Sequence, residues 1–150
     1  MVFQQLFLWP HLTLRENITL AKRSTDAEIE ELISALEMQA FIDRYPNQTS
    51  LGQRQRAAFA RAIALKPEYL LLDEITSALD IEQVERVAVL LEKLKSQDTG
   101  ILLVSHLINF AKRVSNSIVF MDGGKIIEQG DRELITNPQQ PRTKEFLKFF

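Results

Sequence analysis

The stretch TSLGQRQRAAFARAIALKPEYLLLDEITSALD, Thr49 to Asp80, decides the fold. Ser50-Leu51-Gly52-Gln53 matches a capping box, a serine followed three residues later by a glutamine. It predicts a helix from about Gly52 to Leu65, stopped by Lys66-Pro67. Ala57, Ala58, Ala60, Ala62 and Ala64 make that helix slim enough to pack closely, and Arg54, Arg56 and Arg61 add positive charge to it. Tyr69-Leu70-Leu71-Leu72 is a short continuous apolar run between turn-like flanks, which favours a central parallel strand over a helix. Asp73 and Glu74 close the run. In open α/β sheets the C-terminal ends of the strands form the edge where ligands bind.

Downstream, Ile81 to Ser96 has helical spacing, with Val84, Val87, Ala88, Leu91 and Leu94 on one face. Gly100 precedes a second buried strand, Ile101 to Val104, and Ser105-His106 follow at its C-terminal end. A carboxylate pair and a histidine are therefore expected at one edge of one sheet. A short helix at about Asn109 to Val114 leads to a β-hairpin, Ser117–Met121 and Lys125–Gln129, signalled by Asp122-Gly123. The last twenty residues read as a short helix, a turn at Asn137-Pro138, and a C-terminal helix whose Phe146, Leu147, Phe149 and Phe150 are expected to dock on the domain.

Upstream, Thr25-Asp26-Ala27-Glu28 is a second capping box and opens a helix from about Asp26 to Ala40, before a turn at Arg44–Asn47. Pro10 breaks the backbone, and a helix is expected from near Thr13 to about Ala21. Phe3, Phe7 and Trp9 form an aromatic patch with two readings, ordinary core or a groove for a partner's helix. Met1 runs straight into Val2-Phe3-Gln4, which reads as the end of a buried strand whose beginning is missing.

The bulk properties narrow the function. The 150 residues make about one domain, and 45% hydrophobic with 25% charged residues is the profile of a chain with a packed core. A net charge of −2 argues against a nucleic-acid partner. No apolar run reaches the ~18 residues of a membrane span. The N-terminus lacks the basic and small-residue pattern of a secretory signal, and without cysteine there is no disulfide or thiolate metal site.

Phosphoryl transfer needs magnesium, oriented donors for the γ-phosphate, and a base that positions water. A strand-end aspartate such as Asp73 can hold magnesium through water. A neighbouring glutamate, Glu74, can orient or deprotonate the attacking water. A histidine, His106, can contact the γ-phosphate. A helix N-terminus such as Ser50–Gln53 offers N–H groups and the positive dipole end to an anion. Each feature alone also has a plain structural reading; the capping box is commonly only a cap. The phosphate-cradling motif Gly-x-x-x-x-Gly-Lys-Ser/Thr is missing. The only Gly-Lys pair, Gly124-Lys125, lies in the expected hairpin and is followed by Ile126.

Taken in order, these residues resemble the ATP-binding subunit of an ABC transporter along essentially the whole chain. Phe3-Gln4 resembles the Q-loop, TSLGQRQRAAFARA the signature region, Leu70–Glu74 the Walker B strand, Ser77–Asp80 the D-loop, and His106 the switch histidine. The segments FLWPHLTLRENITLA and TNPQQPRTKEFLKFF are most similar to importers of polar amino acids. The resemblance implies an α/β, P-loop NTPase-like fragment. A helical subdomain at about residues 10–60 would carry the signature, residues of about 66–136 would form the C-terminal half of the parallel-sheet core with its hairpin, and residues 137–150 a terminal helix.

It also implies ATP and Mg²⁺ as ligands, with Glu74 and His106 catalytic, Ser50, Gly52, Gln53 and Asp80 binding nucleotide, and Gln4 and Asp73 serving the metal. Two such subunits would sandwich two ATP molecules, the signature of one facing the ATP of the other. A transmembrane permease, and through it a solute-binding protein, would complete the assembly at the cytoplasmic face of the membrane. Three departures from the family pattern stand out. Leu51 replaces the first signature glycine and Thr49 its leading leucine; Leu51 is expected to crowd a γ-phosphate or to resist a positive φ. Ile75 replaces the proline usual after the Walker B glutamate. The segment bearing the P-loop does not occur in these residues, so the chain reads as N-terminally truncated. The alternative expectation is accordingly a non-hydrolysing remnant that binds a permease or a partner ATPase.

Overall fold

The computed structural model describes residues 6–20 and 22–149. They form two compact units, which divide after Ser105.

The first unit is built around α3 (Leu51–Ala64). Its five alanines are all buried, between 0% and 6% exposed, and this slimness lets α1 (Leu14–Thr19) lie directly against it through Leu14 and Ile18. α2 (Asp26–Ala35) contributes Ile29, Leu32 and Ile33 to the same core. The capping boxes read from the sequence are present at both Thr25 and Ser50. A third, at Thr13 with Glu16, starts α1. The expected helix to Ala40 stops at Ala35. Glu37 takes a left-handed φ of +49°, while the Met38 and Glu37 amides donate to the carbonyls of Ile33 and Ser34. That is a Schellman ending with glutamate in the place usually held by glycine, and it turns the chain so that Met38, Phe41 and Ile42 enter the core.

β1 (Tyr69–Asp73) and β2 (Gly100–Val104) pair in parallel, from Tyr69 opposite Gly100 to Asp73 opposite Val104. Between them runs α4 (Ile81–Lys95), the crossover that a parallel pair requires. Leu70 and Leu72 are buried, together with Val87, Ala88 and Leu91 of α4. On the opposite face Tyr69, Leu102 and Val104 are exposed. The two strands are thus covered on one face only among the described residues.

The second unit holds α5 (Ile108–Val114), the hairpin β3 (Ser117–Asp122) and β4 (Lys125–Asp131), a 3₁₀ turn at Arg132–Ile135, and α6 (Pro141–Leu147). Gly123 and Gly124 make the hairpin turn, with φ of +54° and +74°, so the Gly-Lys pair lies where the sequence placed it, at a strand start. The register slips between Phe120 and Met121, where the bulge is accommodated. α6 docks through Thr143 and Phe146, the latter ring 5.0 Å from Phe120, and the Glu128 carboxylate accepts from the amides of Gln139 and Gln140. Phe149 is exposed and takes no part in that docking.

Two members of the aromatic patch, Phe7 and Trp9, are not core. Phe7 is 64% and Trp9 52% exposed, while Phe3 lies outside the described residues. The backbone there is nonetheless fixed. Buried Asn17 accepts from the Trp9 amide at 2.7 Å and donates to the carbonyls of Trp9, Leu12 and Thr13.

The ends of α2 and α3 are joined by Lys66, which pairs with Glu28 at 2.7 Å. With the Thr25 amide and hydroxyl adding to it, Lys66 holds the Glu28 carboxyl at about 2, down from 4.5. A depressed carboxylate pKa stabilises the fold where the group is ionised, so this contribution is complete above the unfolded value and disappears as pH falls through the folded one. Glu28→Gln is expected to lower the melting temperature near neutral pH. The gap to the parent should close between about pH 4.5 and 2, as read by thermal unfolding across that range.

Candidate functional site

The strand-end carboxylates are placed by β1. Asp73 is its last residue, opposite Val104, and the Glu74 amide donates to the Val104 carbonyl at 3.0 Å. Both side chains are half-exposed at the C-terminal edge of the pair. Glu74 has a left-handed φ of +50°. For a non-glycine residue this costs on the order of 1–2 kcal/mol, and such strain gathers at functional positions. The conformation turns the chain sharply off the strand. The turn that follows is held by Ser77 N–H to the Glu74 carbonyl and Leu79 N–H to the Thr76 carbonyl. Asp80 ends it by capping α4, accepting from the Gln83 amide at 2.9 Å. Buried Ile75, in the place of the proline usual in the family pattern, anchors the turn in the core.

At the start of α3, the Ser50 hydroxyl accepts from the Gln53 amide, and the Gln53 side chain accepts from the Ser50 amide at 3.0 Å. Leu51 meets no demand for a positive φ. It sits in ordinary helical backbone as the first residue of α3, without a positive φ, and its side chain is 49% exposed. The glycine that matters is Gly52. A β-carbon there would lie 2.5 Å from the Ala78 carbonyl oxygen. The first turn of α3 therefore presses directly on the turn that follows Glu74.

Gln55, which the sequence reading passed over, completes this contact. It is 4% exposed. Its amide nitrogen donates to the Ser77 hydroxyl at 2.9 Å, and its oxygen accepts from the Ala78 amide at 3.1 Å. A polar residue at a helical position facing the alanine-rich core was the available signal.

The three arginines of α3 spend their donors on backbone carbonyls. Arg54 donates to the carbonyls of Thr49 and Pro46, and Arg61 to those of Leu6 and Phe7. Arg56 is buried, donates to the carbonyls of Leu36 and Glu37, and lies 4.8 Å over the Phe41 ring. Burial pushes the Arg56 guanidinium below its ordinary value, against the opposing pull of Asp80 and Glu37. All three serve as cross-links between segments.

His106 is the first residue of the second unit and exposed, one position before the cap of α5. Gln4 lies outside the described residues. No group of three or more metal-type side chains occurs among the described residues. Magnesium asks for less, one or two carboxylates with phosphate and water completing its shell, and half-exposed Asp73 fits that demand. A pocket of about 630 Å³ opens at the other end of the strands, beside Glu68 and Thr99, and none of the candidate residues lines it.

A family model described as ABC transporter matches residues 1–77. The arginine transport ATP-binding protein ArtP of Escherichia coli K12 is 37% identical over 155 aligned residues, covering 98% of this chain and 64% of its own length. The glutamate transport ATP-binding protein GluA of Corynebacterium efficiens is 40% identical with the same coverage. The dimeric ATP-binding cassette MJ0796, solved in a post-hydrolysis state with ADP and Pi, superposes with a TM-score of 0.75 at 31% identity, over 87% of this chain and 61% of that one. The chain thus spans just under two thirds of the length of the relatives it matches. Its α/β architecture is the corresponding part of an ABC ATPase cassette. With the family match covering half of the sequence, and with its signature helix and strand-end acid in contact through neighbouring turns, the chain belongs to the ABC transporter family.

Proposed function

We propose that this protein serves as ATP-binding and ATP-hydrolysing subunit of an importer for polar amino acids, energising transport through a membrane permease. The observation that carries this is the seam in which the Ser50–Gln53 turn meets the turn after Asp73-Glu74. Relatives named for arginine and glutamate transport support the solute class. In this reading Asp73, with Gln4, holds Mg²⁺, and Glu74 orients and deprotonates the attacking water. His106 contacts the γ-phosphate. Magnesium, when bound, neutralises charge on the phosphates. Ser50, Gly52 and Gln53 present a helix N-terminus to ATP held by a second ATPase subunit, and Asp80 belongs to the same nucleotide interface. The exposed Phe7 and Trp9, on backbone fixed by Asn17, suit a permease contact at the cytoplasmic face of the membrane. A solute-binding protein would deliver the amino acid.

A second reading rests on the capped helix start at Ser50–Gln53, which is taken here to serve nucleotide held by another subunit. On it the protein completes a partner's ATP site, or binds a permease, without hydrolysing ATP itself.

ATP turnover by the purified chain, alone and mixed with a full-length arginine-type subunit, separates the two. The first reading expects magnesium-dependent turnover by the chain, reduced by about 10²–10⁴-fold in Glu74→Gln, the range for loss of a general base. The second expects no turnover alone, and stimulation of the full-length subunit that survives Glu74→Gln and is lost in Ser50→Ala. Neither turnover nor stimulation would overturn both.

A further inference from the structure

We propose that Gln55 is a positioning residue that locks the signature turn to the turn carrying the catalytic glutamate, so that the two respond as one body; this rests on the nucleotide-site reading above. The geometry has three parts. Gln55 is buried and satisfied at both ends of its amide, by the Ser77 hydroxyl at 2.9 Å and the Ala78 amide at 3.1 Å. Gly52, one turn earlier on the same face of α3, admits the Ala78 carbonyl to a distance that no side chain permits. The turn so gripped begins at Glu74, whose carbonyl accepts from Ser77, and ends at Asp80, which caps α4.

The consequence follows from the roles assigned to each side of the seam. Ser50–Gln53 address nucleotide on the partner subunit, whereas Asp73 and Glu74 address nucleotide on this one. Gln55 bonds to Ser77 and Ala78 from the helix that carries the first group, three and four residues beyond the glutamate of the second. Any displacement of the signature turn by a partner's phosphate is transmitted to the backbone at Glu74. That backbone is already in a left-handed conformation with few alternatives. Gln55 touches neither nucleotide in this arrangement and acts through Ser77 and Ala78.

Two variants of the full chain test this. Gln55→Met keeps the side-chain volume and removes both hydrogen bonds. Gln55→Glu keeps the acceptor for Ala78 and lets the Ser77 hydroxyl turn to donate. The first readout is amide hydrogen exchange. Gln55→Met is expected to speed exchange at Ala78 at least tenfold while Leu70–Leu72 keep their protection, and Gln55→Glu to restore the parental rate. Unchanged exchange at Ala78, or an equal rise throughout β1, overturns the locking role. The second readout is turnover of the mixture with a full-length arginine-type subunit. Gln55→Met is expected to lower kcat about tenfold with KM within twofold, and Gln55→Glu to recover most of it. Parental kcat in Gln55→Met overturns the coupling even if the exchange result stands. If the parental mixture shows neither turnover nor stimulation, the proposed function fails, and the exchange readout still decides the lock.

Discussion

Gly52 approaches the Ala78 carbonyl so closely that a β-carbon would stand 2.5 Å from the oxygen. This contact sets the distance between α3 and the turn after β1, and the first unit is arranged to permit it. The alanines of α3 let α1 and the α2 segment close around the helix. The left-handed Glu74 swings the chain off the strand towards it. Buried Gln55 finds both of its hydrogen-bond partners on that turn, since a buried amide without a partner costs about 1–3 kcal/mol. Asp80 then starts α4, which covers the buried face of the strands.

Much of this could be read from residue types. The capping boxes at Thr25 and Ser50 fixed two helix starts to within a residue, because a cap is a local hydrogen-bond pattern written in four adjacent positions. Lys66-Pro67 marked the end of α3 for an equally local reason, since the residue before a proline is disfavoured in helical backbone. α2 ends before Ala40 because its terminator is Glu37, a residue that carries no left-handed signal in the sequence. The arginines bring positive charge to α3, but the carbonyls that Arg56 and Arg61 bond lie in remote segments, which no residue pattern announces. Of the two readings of the aromatic patch, ordinary core does not hold for Phe7 and Trp9, because Asn17 secures the backbone and leaves their rings outside. The apolar runs of β1 and β2 suggested strands covered on both faces. Among the described residues the face bearing Tyr69, Leu102 and Val104 is open.

The candidate site was legible as a set of residues and much less so as an arrangement. Asp73, Glu74 and the Ser50 helix start were identifiable from type and spacing. Their mechanical connection was not, because it depends on Gln55 and on the absence of a side chain at Gly52. Leu51, the conspicuous departure from the family pattern, is accommodated as a solvent-facing first residue of the helix. The demand for glycine falls on the next position. The two turns that the reading assigns to different nucleotides are thus in direct contact within one chain.

The most direct measurement is the thermal stability of Gly52→Ala. Replacing a helical glycine by alanine ordinarily stabilises by about 0.5–1 kcal/mol. Here the new methyl meets a backbone carbonyl that is itself held in place, and overpacking of this kind costs about 1–3 kcal/mol. The expected result is a lower melting temperature for Gly52→Ala. A variant as stable as the parent, or more so, would contradict the close contact between the signature turn and the turn after Glu74.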